Sequence, residues 1–175
     1  EVCRAKNLDP ATVIAKLAAL DGTAESPAAN PDAMGLGALC DHIERAHHDW
    51  LREELPRLDF MTRKVAAVHG DHEPRLHEIR HVFELFQSEI AVHTAEEERL
   101  VFPAIRQLES GSGSRAAGVA ALRSVFAKLE SEHGQAGAAL EQLSALTDRY
   151  MPPEWACNTF RAMFDTLGRL QSNMH

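Results

Sequence analysis

Apolar residues recur every three or four positions through most of this chain, the spacing of helices that bury one face. The first such stripe is short: Val13, Ile14, Leu17 and Leu20, preceded by Asp9 as a candidate N-cap and by Pro10, which suits a first turn. It predicts a helix over residues 9–20. The stretch that follows, residues 22–35, contains Ser26, Pro27, Asn30 and Pro31 and reads as a linker. Four long periodic segments come next. They run from about Leu36 to Val68, from Arg75 to Leu108, from Arg115 to Tyr150, and from near Glu154 to the end of the chain. Pro56 is expected to kink or break the first. The connections, Gly70–Pro74, Ser110–Ser114 and Pro152–Pro153, are short, so consecutive helices run antiparallel. The expected fold is all-α: an up-down-up-down four-helix bundle over residues 36–175, with a short helical element in residues 1–21.

At 175 residues the chain can bury a substantial core, and its richness in Ala, Leu, Glu and Arg agrees with helix. A net charge of −8 argues against a nucleic-acid partner, which needs a concentrated basic surface. No apolar run approaches the roughly 20 residues of a membrane span. Cys3, Cys40 and Cys157 are scattered and odd in number, which disfavours a disulfide framework and makes a reducing cytoplasm the expected compartment. No signal peptide is visible, and the sequence begins at Glu1.

The polar residues inside the stripes change the picture most. His48, His93, His133 and His175 each lie 18–22 residues from the neighbouring turns. At 1.5 Å per residue all four stand about 30 Å along their helices, within one helical turn of a common depth. Facing agrees. On the second helix Ile79, Phe83, Phe86, Ile90, Val101 and Leu108 define a stripe that includes His93 and Glu97, while Glu96 and Glu98 point away from its centre. On the third, Leu122, Phe126, Leu129, Ala136, Leu140 and Leu143 enclose His133; on the fourth, His175 sits at the margin of the face made by Phe160, Met163, Leu167 and Met174. On the first helix the stripe of Leu39, Ile43, Leu51, Leu55 and Met61 places His47 nearer its centre than His48. A buried carboxylate beside buried imidazoles is costly unless the groups bind a metal. Histidines and carboxylates projecting into a helical bundle are the usual ligands of a di-iron pair. His69 is about 30 Å from His48 along the same helix and is left out, as are His77 and His81, which read as a solvated face near the turn.

Several runs resemble the haemerythrin-like family, and among its members the bacterial Repair of Iron Centres proteins. They are Asp41-His42-Ile43, His48-Asp49, Leu55-Pro56-Arg57-Leu58, Val68-His69, His93-x-x-x-Glu97-Glu98, Leu100-Val101-Phe102-Pro103 and Glu130-Ser131-Glu132-His133. The resemblance covers roughly residues 36–175. It implies His48, rather than His47, as the first ligand, with His93, His133 and His175 as the other imidazoles and Glu97 as a bridging carboxylate. The implied cofactor is two iron ions, oxo- and carboxylate-bridged. The family pattern continues with a second Glu four residues beyond the last histidine, and this sequence ends at His175. The family also carries a small N-terminal domain with adjacent cysteines; residues 1–20 resemble its last helix, without the Cys-Cys pair.

The resemblance implies a stress-response di-iron protein that restores iron–sulfur clusters after nitrosative or oxidative damage, as an iron donor with damaged iron–sulfur proteins as clients. The alternatives, in order, are a sensor or carrier binding oxygen or nitric oxide, an enzyme reducing nitric oxide, and a metal-free helical interaction domain. Whether the chain is an enzyme stays open at this point, as does its oligomeric state.

Overall fold

A computed structural model describes residue 9, residues 11 and 12, and residues 31–111 and 115–174, with no description of the side chains at 115–121 and 124. The chain divides into two compact units, residues 1–34 and 35–175. In the first, Asp9 accepts hydrogen bonds from the backbone N–H of Thr12 (3.1 Å) and Ala11 (3.3 Å), as an N-cap does. Pro31–Ala33 form a single 3₁₀ turn. The remainder of the expected helix over residues 9–20, and most of the linker, lie outside the described residues.

The second unit is a bundle of four main helical arms. The first arm is α1 (Leu36–Ile43), a π-helical turn (Glu44–His48) and α2 (Asp49–His69); the second is α3 (Arg75–Glu96), another π turn (Glu97–Val101) and α4 (Phe102–Glu109). The third is α5 (Arg115–Leu146) and the fourth α6 (Asn158–Met174). Contacts run α2–α3, α3–α5, α5–α6 and α6–α2, with α1 against α4, so each arm touches its neighbours in an antiparallel ring. No helix among the described residues is long and apolar enough to cross a membrane.

Pro56 neither breaks nor ends α2, which continues to His69. A proline cannot donate to the carbonyl four residues back, but Arg52 and Pro56 are on the exposed side, where solvent can replace that bond. The third arm ends at Leu146, four residues short of expectation. Thr147 turns its hydroxyl back to the Leu143 carbonyl (2.7 Å), and Asp148, Arg149 and Tyr150 follow with φ of 51°, 58° and 63°. A left-handed turn cannot continue a right-handed helix. The fourth arm begins at Asn158 rather than near Glu154, because Pro152-Pro153 and the turn that buries Ala156 occupy the intervening residues. At the opposite end α4 closes on Gly111, whose φ of 70° suits glycine. Glu109 reaches back to cap α1, accepting from the N–H of Leu36 (2.8 Å) and Gly37 (2.9 Å). A Cβ at Gly35 or Gly37 would stand 2.9 or 2.7 Å from that carboxylate, so glycine there makes room for the cap.

Two apolar clusters fill the bundle. The larger includes Leu51, Leu58, Phe83, Phe86, Ile90, Leu143, Phe160 and Leu167, the smaller Cys40, Val101, Phe102, Leu122 and Leu129. The two π turns bring a polar layer between them.

Candidate metal centre

Each π turn carries one of the sequence-predicted site residues. The N–H of Asp49 bonds the Glu44 carbonyl, and that of Phe102 the Glu97 carbonyl, so each closes i→i−5 and holds one residue more than an α turn. This resolves the adjacent histidines. Counting back from Leu51 and Leu55, the buried face falls on His48; counting forward from Cys40 and Ile43, it falls on His47. The extra residue lets both faces be buried at once. His48 is 4% exposed and stacks on Phe102 with ring centroids 5.6 Å apart, while His47 is half-buried. In the second arm Pro103, which cannot donate to the Arg99 carbonyl, stands just after the widened turn. The widening carries Glu98 toward His48, where a constant period had turned it away.

Glu97 is the hub. Its Oε2 lies 3.2 Å from His48 Nε2, and its Oε1 lies 3.5 Å from His93 Nε2 and 3.9 Å from His133 Nε2. The Nε2 atoms of His93 and His133 face each other at 2.8 Å. Ligand atoms of His93, Glu97 and His133 fall within 4.8 Å of one another. His175 lies outside the described residues. His133 is less enclosed than its stripe implied, with 59% of its side chain exposed. There α5 borders an open cavity of about 400 Å³ lined by Leu39, Val101, Phe126 and Leu129, so the helix is not packed tightly along that edge.

The outer sides of the imidazoles are also held. His48 Nδ1 donates to Glu98 at 2.8 Å, and Glu98 pairs with Arg52. His93 Nδ1 donates to Glu132 at 2.8 Å, and Glu132 lies 3.3 Å from Lys128 Nζ. A cation–carboxylate–imidazole chain thus approaches Glu97 from each side. A carboxylate on Nδ1 fixes the tautomer that leaves the Nε2 lone pair directed inward, the usual arrangement around a metal-binding histidine. Sequence periodicity missed Glu98, Glu132, Arg52 and Lys128. Two of them sit in the family-like runs, Glu98 beside Glu97 and Glu132 beside His133.

The donors fit a metal. Two imidazole Nε2 atoms at 2.8 Å need a proton or a cation between them, and Glu97 offers an oxygen to each of two histidine groups. Without metal the charge is balanced by protons. Burial opposes a charged His48, but its hydrogen bonds with Glu97 and Glu98 prevail and raise its pKa; His93 is raised against burial in the same way by Glu97 and Glu132. Burial also opposes the Glu97 carboxylate, yet His48 and His93 hold its pKa at about 2. The imidazoles therefore contribute stability that is complete below the ordinary histidine value of 6.5 and lost as pH rises through their raised values. Glu97 contributes stability present above its ordinary value of 4.5 and lost as pH falls toward 2. Metal-stripped protein is expected to melt highest between about pH 4.5 and 6.5 and lower at pH 8. A melting temperature still rising from pH 6 to 8 would contradict this ion-pair layer.

The far end of the bundle stays separate. His69 sits there against Phe160 and 3.3 Å from Cys157, and His77 and His81 are exposed on α3.

The sequence comparisons agree with the architecture. The profile of the hemerythrin HHE cation binding domain matches residues 41–174. The iron-sulfur cluster repair protein YtfE of Musicola paradisiaca (strain Ech703) is 36% identical over 170 residues, 97% of this chain and 72% of that protein. The proteins of the same name from Enterobacter sp. (strain 638) and Cronobacter sakazakii (strain ATCC BAA-894) are each 35% identical, over 94% and 93% of this chain and 70% and 69% of their own lengths. The four-arm bundle and its His/Glu cluster therefore carry the resemblance first seen in the sequence, and the chain belongs to the haemerythrin HHE cation-binding family, alongside the relatives named iron-sulfur cluster repair proteins.

Proposed function

We propose that this chain acts in the repair of damaged iron–sulfur clusters, holding two iron ions through His48, His93, Glu97, His133 and His175 and giving up iron to damaged client proteins in the cytoplasm. The observation that carries this reading is the division of Glu97, with Oε2 toward His48 and Oε1 toward His93 and His133. A carboxylate so placed can serve two cations at once. When bound, an iron pair supplies ferrous–ferric cycling and exchangeable coordination positions. The protein's own groups hold the imidazoles in register through Glu98 and Glu132, and Leu51, Ile90, Val101 and Phe102 limit water around the donors. Imidazole and carboxylate bind ferrous iron without the near-permanent grip of a thiolate set, which suits a donor.

The test is release. Full chain loaded with ferrous iron under anaerobic conditions is mixed with a ferrous chelator, and separately with a protein whose iron–sulfur cluster has been destroyed. Iron should pass to both while the far-ultraviolet circular dichroism stays helical, with cluster absorbance returning in the second once inorganic sulfide and a thiol reductant are supplied. Iron that leaves only on denaturation would overturn the donor role.

The apolar cavity of about 400 Å³ that reaches Glu97 and His133 favours a second reading, reversible binding of a small apolar diatomic such as nitric oxide or oxygen. That reading requires a reversible spectral change with all iron retained.

A further inference from the structure

A donor must let its cation in and out, and the polar layer is reached from several sides. The cavity of about 400 Å³ that touches Glu97 and His133 has mostly apolar walls, including Leu36, Leu39, Val101 and Phe126. A cation entering it would shed water with few ligands to replace it. A second cavity, lined in part by Ser88, Glu89, Glu132 and Gln135, meets only His93 among the described candidate donors, on the ring whose Nδ1 Glu132 already occupies. A third, between Leu51 and Arg52 on α2 and Gln87 and Thr94 on α3, meets only His48 among the described donors, and its Nδ1 is held by Glu98.

A fourth opening differs. Among the described residues it is a cavity of about 280 Å³ open to solvent, and it meets His48, His93, Glu97 and His133 together. Its wall carries one further imidazole, His47, with Asn173 of α6 beside it. His47 Nδ1 donates to Asn173 Oδ1 at 3.2 Å, so the Nε2 of the neutral ring keeps its lone pair. The His42 ring stands edge-on to that of His47 with centroids 6.0 Å apart. The π turn produces this line of histidines: its extra residue gives His48 to the core and leaves its neighbour His47 at the mouth.

Resting on the di-iron reading above, we propose that His47, oriented by Asn173 and flanked by the His42 ring, is a transit ligand through which ferrous iron enters and leaves the centre. In each exchange the ion stays divalent. One imidazole lone pair takes the place of an outgoing donor or water, and no electron moves. A transit ligand has a distinct kinetic signature. It stabilises the passage and neither end state, so its loss slows loading and release by the same factor and leaves affinity unchanged. A resident ligand would instead weaken affinity, and a packing residue would lower the melting temperature.

The experiment uses full chain loaded with ferrous iron, with release to a ferrous chelator and loading of the stripped protein both followed by stopped flow. His47→Leu fills a similar volume without a donor and is expected to slow both rates about tenfold, with iron per chain at saturation and the melting temperature of the stripped protein retained. His47→Gln, which restores a donor oxygen, should recover part of the rate. His42→Leu, outside the cavity wall, is expected to slow both rates less and covers the case in which His47→Leu does not fold. Wild-type rates in both leucine variants, or faster release with weaker binding in His47→Leu, would overturn the transit role. If the wild-type chain bound no iron, the di-iron reading itself would fail, which these outcomes keep distinct.

Discussion

Glu97→Ala is expected to leave a folded bundle that no longer retains its metal. Among the described residues the carboxylate is the one group paired with His48, His93 and His133 together, and none of the core clusters depends on it. Losing an outer-shell partner of a metal ligand typically weakens binding about 10- to 100-fold. Losing the shared carboxylate should exceed that, so iron per chain after gel filtration should fall to a small fraction of wild type, with the accompanying near-ultraviolet and visible absorption. The effect has a second source. Without Glu97, His48 and His93 each lose one of the two carboxylates that favour their charged forms, leaving Glu98 and Glu132 alone against burial. Circular dichroism should still report a helical protein. A variant that kept its full iron would remove Glu97 from the centre and with it the principal support for a two-metal arrangement.

Phe83→Ala should have the largest effect on stability and almost none on the site. Phe83 is fully buried in the larger cluster, in the company of Leu58, Phe86, Leu143, Phe160 and Leu167. Truncating a buried phenylalanine costs about 3–5 kcal/mol, through lost transfer energy and the cavity left behind. For a chain of this length that corresponds to a melting temperature lower by on the order of 10 °C. Ten residues, about 15 Å of helix, separate the lesion from His93. Iron bound per folded chain at low temperature should therefore be retained. A loss of less than about 1 kcal/mol in urea unfolding would mean that the surrounding side chains collapse into the space.

The hydrophobic period was enough to place the four arms and, on the three arms whose histidines are described, the depth of the polar layer. Ile79, Phe83, Phe86 and Ile90 are buried as a 3.6-residue period requires, and His93 follows them at 5% exposure. Legibility ended where the helices stop obeying one period. Across Glu44–His48 a constant 100° per residue favours His47, and across Glu97–Val101 it turns Glu98 outward; both outcomes change once a π turn adds a residue. Family-like runs singled out His48 where periodicity did not, because such runs register the outcome of the turn without explaining it. The outer carboxylates were harder to find. Glu132 reaches His93 across two helices, and no count along one helix reveals a partner on another. Helix ends were least legible. Three consecutive residues with positive φ after Thr147 include no glycine to announce them.

The two π turns also determine where this bundle can tolerate a change in length. Within a regular helix, removing one residue rotates everything beyond it by about 100° and carries a buried stripe to the surface. A π turn already holds one residue in surplus, so a loss within it returns the chain to ordinary helix with both flanks still facing inward. Single-residue gaps between homologous chains can therefore be absorbed beside Arg45 or Arg99, both exposed, where the same gap beside Leu58 or Phe83 would dismantle the core. Two residues of the site, His48 and Glu97, are thus carried on the part of their helices that descent can shorten without refolding the rest.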